Sequence, residues 1–219
     1  MKLDTMLFDL DGTLIDSIHL IKECFRLTLK EHVPETEYSE SDILEMIGPP
    51  LSVTFAPMAD TEEKLAAMIT SYRKYYKELE FSLVSVFPHV VETLRQLKEK
   101  GFYLGVVTTK FRESAEPSLR YFEIERYLDV LIGLDDAEKH KPHPEPILKA
   151  LDGLPHHQVL MVGDAPSDIM AGKNAGVLTC GVSWSIKKAE LEATKPDYWI
   201  TDFRELIAIA NQINEEEEN

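Results

Sequence analysis

Asp9 and Asp11 stand two residues apart after a short apolar run, in the stretch Asp9-Leu10-Asp11-Gly12-Thr13. Residues i and i+2 of a strand point to the same side, so this pair presents two carboxylates together. Gly12 then lets the chain turn where a side chain would clash. Two ionised carboxylates side by side repel unless a cation or a shared proton separates them. A solvated turn could carry the same pattern without chemistry, so the pair does not decide alone. A second acidic stretch, Gly163-Asp164-Ala165-Pro166-Ser167-Asp168, follows another apolar run and opens a helical pattern. Asp164 and Asp168 could simply cap that helix. In an open α/β sheet, however, ligands gather outside the carboxyl ends of the strands. Four acids converging there predict a hard divalent cation held by oxygen, Mg²⁺.

Two further positions suit a phosphate. Thr108, in Val106-Val107-Thr108-Thr109-Lys110, ends a strand with a hydroxyl and nearby backbone N–H donors. Lys141, in Lys141-Pro142-His143-Pro144, lies on a stiff loop just before a helix. Together they supply an anion-binding side to the acid cluster. His140, His143, His156 and His157 lack the spacing of a metal site and read as surface residues.

The elements that must position these groups follow from periodicity. Continuous apolar runs predict strands over 5–10, 103–108, 130–133, 158–163, 177–182 and 198–200. Helical patterns cover 89–100, 113–122, 144–151, 166–175 and 203–213. Strands alternating with helices argue for a parallel sheet covered on both faces. The stretch between the first two strands breaks that rhythm, with helices only, over 18–31, 41–47 and 62–79. Asp60 and Glu63 form a candidate capping box for the last. Tyr72, Tyr75, Tyr76 and Leu79 recur at helical spacing and read as helix–helix packing. The expected fold class is α/β, a doubly wound, Rossmann-like parallel sheet core with a small all-helical cap domain inserted after the first strand. The core takes residues 1–16 and 83–219 and the cap 17–82. An acidic tail over 214–219 is expected to fray.

Composition limits the partners. The 219 residues carry 23 Lys plus Arg against 39 Asp plus Glu, a formal charge of −16 that would be repelled by a phosphate backbone. Nucleic acid is therefore excluded as a partner. The first apolar run is short and contains Asp9, so it is neither a signal sequence nor a membrane span. A cytoplasmic protein with two reduced cysteines, Cys24 and Cys180, is expected. A monomer is expected ahead of a homodimer.

With these residues in place, the chain resembles the haloacid dehalogenase-like phosphohydrolases along essentially its full length. Asp9-Leu10-Asp11-Gly12-Thr13 matches the first family motif, Thr108 the second, Lys141 the third, and Gly163-Asp164 with Asp168 the fourth. The helical insertion resembles the helical cap of the first cap class. Ile47-Gly48-Pro49-Pro50-Leu51, Thr108-Thr109-Lys110-Phe111-Arg112 and Lys141-Pro142-His143-Pro144-Glu145-Pro146 resemble the bacterial branch of phosphoglycolate phosphatases and small inorganic pyrophosphatases, the latter more closely.

The resemblance implies that Asp9 attacks phosphorus and that Asp11 is the acid and base. It implies a Mg²⁺ held by the Asp9 carboxylate, the Asp11 carbonyl and Asp164, with Asp168 orienting a bound water or Lys141. Thr108, Lys141 and backbone near Leu10, Asp11 and Thr109 would cradle the phosphoryl group. Ala165 stands where many relatives carry a small hydroxyl residue. Specificity would come from Gly48 and Pro49 in the cap and from Lys110 and Arg112, candidates for a second phosphate or a substrate carboxylate. The substrate is then a small phosphorylated metabolite or pyrophosphate. A sugar-phosphate phosphatase or phosphoglucomutase-like transferase of the same fold stays open, as does, more remotely, a phospho-accepting signalling domain.

Overall fold

A computed structural model describes residues 2–216 of the chain. In chain order its elements are β1 (Leu3–Phe8), β2 (Ile15–Asp16), α1 (Ile18–His32), α2 (Glu40–Glu45), α3 (Leu51–Phe55), α4 (Glu62–Leu83) and β3 (Ser85–Val86). There follow α5 (Val90–Glu99), β4 (Tyr103–Val107), α6 (Arg112–Tyr121), β5 (Val130–Ile132), α7 (Glu145–Leu151) and β6 (Gln158–Gly163). The chain ends with α8 (Pro166–Ala175), β7 (Leu178–Val182), α9 (Lys188–Ala193), β8 (Tyr198–Ile200) and α10 (Glu205–Glu216). Two compact units result, one of Met1–Ile15 with Val86–Asn219 and one of Asp16–Ser85.

The first unit is built on a six-stranded sheet of order β5-β4-β1-β6-β7-β8. All its pairings are parallel. Strands buried on both faces favour apolar residues throughout, and β1, β4 and β6 are apolar apart from Asp4, Thr5 and Gln158 near their starts. On one face Leu7, Val107, Val159 and Met161 pack with Ile147 and Leu151 of α7 and Ala171 of α8. On the other, Phe8 meets Phe203 just before α10 at 5.7 Å between ring centroids. Near its end α10 is tied to β1 in both directions: Leu3 N donates to Asn214 Oδ1 at 2.7 Å, and Asn214 Nδ2 donates to Leu3 O at 3.0 Å. Residues 214–216 are thus helical, while the rest of the expected tail lies outside the described residues.

Register and topology create the place for a site. Phe8 of β1 is level with Val106 of β4 and Val162 of β6, so the three strands end together. From β1 the chain order runs to β4 and β5 on one side, and from β6 to β7 and β8 on the other. That reversal leaves a crevice at the carboxyl ends of β1 and β6.

The second unit is helical. Leu20, Ile21, Cys24, Phe25, Thr28 and Leu29 recur with helical spacing on the buried stripe of α1. Phe25 lies 4.9 Å from Tyr72 of α4 and 5.5 Å from Phe55 of α3, an aromatic cluster of the kind expected from the tyrosine stripe. Two details depart from the sequence expectation. Thr61, not Asp60, caps α4, its hydroxyl accepting from Lys64 N at 3.1 Å. Residues 51–55 form α3, too short for periodicity to reveal, as is α9 in the first unit. Among the described residues no helix is long and apolar enough to cross a membrane. Both cysteines are free and buried.

Candidate active site

Beyond β1 the ladder runs one residue further, Asp9 N donating to Val162 O at 3.0 Å. The chain then folds back on itself: Leu14 N and Ile15 N both donate to Leu10 O, and Gly12 N donates to Ile15 O. Gly12 is required twice over. Its φ of +85° suits glycine, and a Cβ there would sit 2.3 Å from Asp164 Oδ2. Thr13, fully buried, donates from Oγ1 to Asp164 Oδ1 at 3.1 Å, so the two acidic loops are bonded to each other.

The second loop has its own close approach. A Cβ on Gly163 would lie 2.3 Å from Cβ of Asp168. Asp168 sits in the first turn of α8, where Oδ2 accepts from Ala165 N at 3.0 Å. The helix cap thus comes from Asp168, and no hydroxyl at position 165 is needed for it. The other oxygen, Oδ1, takes Lys141 Nζ at 2.6 Å. Lys141 Nζ also donates to Asp9 Oδ1 at 2.7 Å and to Val107 O at 2.8 Å, three acceptors for an ammonium with three donors.

Three buried carboxylates, Asp9, Asp164 and Asp168, thus face one buried ammonium. Burial pushes the Asp9 carboxyl up to about 7; Asp168 and Asp11 add to the rise and Lys141 opposes it. Asp164 is held well above the usual carboxylate range by burial and by the charges of Asp9 and Asp168. For Lys141, burial favours the neutral form, but Asp168 and Asp9 overcome it and raise its pKa, so it stays charged.

This excess of negative charge fits a cation. Ligand oxygens of Asp9, Asp164 and Asp168 all lie within 4.8 Å of one another. An all-oxygen set suits a hard divalent ion such as Mg²⁺. Because both oxygens of Asp168 are committed to Lys141 and Ala165 N, Asp9 and Asp164 are the carboxylates with capacity left for a metal. Asp11 stands beside them. Its Oδ1 is buried and meets no hydrogen-bond partner among the described residues.

The anion side lies at the end of β4. Thr108 is buried, its N–H donating to Ile132 O and its hydroxyl accepting from Lys110 N at 3.1 Å. Thr109 follows, half-buried. Lys110 Nζ comes to 3.5 Å from Asp11 Oδ2, in keeping with a cation serving this site. Arg112 does not join it. Its guanidinium donates to Asp136 Oδ2 at 2.8 Å and to the Leu131 carbonyl, and its N–H to Asp135 Oδ1. Arg112 thus braces the 131–136 segment in this structure. Gly48 and Pro49 are exposed residues of the helical unit, Gly48 with φ +119°.

Sequence reasoning missed two residues that reach this site from the end of β7. Trp184 Nε1 donates to Gly12 O at 3.0 Å, and Ser185 Oγ donates to Asp164 O at 2.6 Å. The rule that ligands collect at strand carboxyl ends applies to β7 as well, and would have pointed there.

The sequence pattern of the haloacid dehalogenase-like hydrolases matches residues 6–182. The chain belongs to this family. As a haloacid dehalogenase-like hydrolase it is 43% identical over 217 residues to the pyrophosphatase PpaX of Bacillus cereus (strain B4264), covering 98% of this chain and 99% of that one. PpaX of Bacillus mycoides (strain KBAB4) is likewise 43% identical, over 98% of this chain and all of its own. Among solved structures, a haloacid dehalogenase-like hydrolase from Bacteroides fragilis superposes with a TM-score of 0.85 at 31% identity, covering 94% of this chain and 100% of that one. The "predicted phosphoglycolate phosphatase" of Haemophilus somnus 129pt gives 0.85 at 27% identity, with 95% and 98% covered. The family membership, the parallel sheet and the helical insertion agree with the sequence reading.

Proposed function

We propose that this hydrolase is a Mg²⁺-dependent phosphohydrolase working through an aspartyl-phosphate on Asp9, with inorganic pyrophosphate as its substrate. The observation that carries the reading is the buried group of Asp9, Lys141, Asp164 and Asp168 at the ends of β1 and β6. Full-length relatives at 43% identity named pyrophosphatases support the choice of substrate.

Asp9, Asp164 and the Asp11 main chain would hold the metal, which screens the phosphate from the acids and polarises its oxygens. An Asp9 carboxylate oxygen forms a bond to phosphorus as the bond to the leaving oxygen breaks. Asp11, whose Oδ1 has no other partner among the described residues, gives its proton to that leaving oxygen. The same carboxylate then takes a proton from water, whose oxygen attacks phosphorus and frees Asp9. Such assistance is worth roughly 10²- to 10⁴-fold. Lys141 and the hydroxyl of Thr108, with the backbone at Thr109, neutralise the three equatorial oxygens. Asp168 keeps Lys141 in place. Lys110, beside Asp11, meets the second phosphate as it departs. Gly48 and Pro49 are the cap residues proposed to select the substrate.

Phosphate release with pyrophosphate and with phosphoglycolate, at matched concentrations with Mg²⁺ and with Asp9→Asn as blank, tests this. A much larger kcat/KM for pyrophosphate is expected. Preference for phosphoglycolate would move the chain to the neighbouring activity, and phosphoryl transfer to a second substrate position would make it a mutase.

A further inference from the structure

Two side chains that the mechanism does not use tie both acidic loops to a third strand end. Within the 10–15 turn the N–H groups of Thr13, Leu14 and Ile15 donate to Leu10 O and that of Gly12 to Ile15 O, while Gly12 O receives its donor from Trp184. The indole packs against Phe87 at 5.4 Å and Phe203 at 6.5 Å, and Phe203 in turn lies against Phe8 at the end of β1. One residue on, Ser185 Oγ is fixed by accepting from Lys187 N at 3.0 Å and donates to Asp164 O. Neighbouring residues on one turn thus grip the loop that carries Asp9 and the loop that carries Asp164.

We propose that Trp184 and Ser185 are positioning residues, a two-point clamp that holds the Asp9 and Asp164 carboxylates at cation-binding separation. Like charges that must share a cation tend to spread when it leaves. A turn anchored to both loops resists that spreading, so less is lost when the ion binds. The direct Thr13–Asp164 bond links the loops on one side, and the clamp links them through the backbone on the other. The inference rests on the reading of the acid cluster as a Mg²⁺ site.

Calorimetric titration of the full chain with Mg²⁺ tests it, alongside melting of the metal-free protein. Trp184→Phe keeps the ring among Phe87 and Phe203 but removes the N–H; Ser185→Ala removes the hydroxyl and Ser185→Thr restores it. Each loss should weaken Mg²⁺ binding about tenfold, with Ser185→Thr near wild type. Activity of the two variants should recover at high Mg²⁺ with KM for substrate little changed. Trp184 and Trp199 are the only tryptophans, so in a Trp199→Phe background the emission of Trp184 should shift on adding Mg²⁺ and return with chelator. Unchanged Mg²⁺ affinity in variants that melt earlier would overturn the clamp and leave the phosphohydrolase reading standing. A wild-type chain that binds no Mg²⁺ would overturn both.

Discussion

Two clusters of opposite charge in this molecule look alike on paper and differ in what they do. In the helical unit, Glu40 takes Lys22 and Arg26, each at 2.5 Å, on the surface. In the sheet unit, Lys141 takes Asp9 and Asp168 at 2.7 and 2.6 Å, beneath the surface. The surface trio has the shorter contacts, yet water screens it and two long side chains lose freedom in making it. The buried set is short of positive charge and cannot call on water. It therefore holds acids away from their usual titration range, which is the condition a metal and a phosphoryl group can exploit. Length of contact is a poor guide to consequence, and burial with imbalance of charge is a better one.

The sharpest break comes from Asp9→Asn. Turnover should fall on the order of 10⁴-fold or more, as when a nucleophile is removed, while the far-ultraviolet spectrum of the folded protein is retained. Next is Lys141→Met, which strips the buried acids of their counter-charge. It should cost about 3–5 kcal/mol in denaturant unfolding at neutral pH, and less in acid where the carboxylates are neutral. The pH dependence of the metal-free chain follows from Asp9, whose pKa rises from 3.8 unfolded to about 7 folded. Between those values the folded state keeps a proton that the unfolded state has lost. Stability should therefore fall as pH rises through this window, with Asp164, also raised, adding to the fall, and saturating Mg²⁺ should flatten the slope. Arg112→Ala should lower the melting temperature through the 131–136 segment and leave KM unchanged; a raised KM would return Arg112 to the site. Smallest of all, Arg26→Ala should change neither stability nor turnover measurably.

Much of this was legible before any coordinates. β6 and α8 fall on the expected residues, because continuous apolar character followed by Gly163, Pro166 and a helical stripe leaves little alternative. The four acids, Thr108 and Lys141 could be placed together because strand ends of a parallel sheet share one edge. What stayed hidden depends on side-chain direction across long separations. Nothing in Thr108-Thr109-Lys110-Phe111-Arg112 says that Lys110 turns to Asp11 while Arg112 turns to Asp136. The grip of Trp184 on Gly12 spans 172 positions and leaves no local trace. Short helices such as α3 and the choice of Thr61 over Asp60 as a cap turn on one or two residues, below the reach of periodicity.

The central claim, that Asp9 carries the phosphoryl group in transit, is open to direct chemical capture. Asp11→Asn, which slows the second step by removing its base, is mixed with radiolabelled pyrophosphate and Mg²⁺, quenched in acid and digested. Label on the peptide containing Asp9, absent from the Asp9→Asn partner, is the predicted result. Label on another residue, or pyrophosphate cleaved at full rate by Asp9→Asn, would contradict the account.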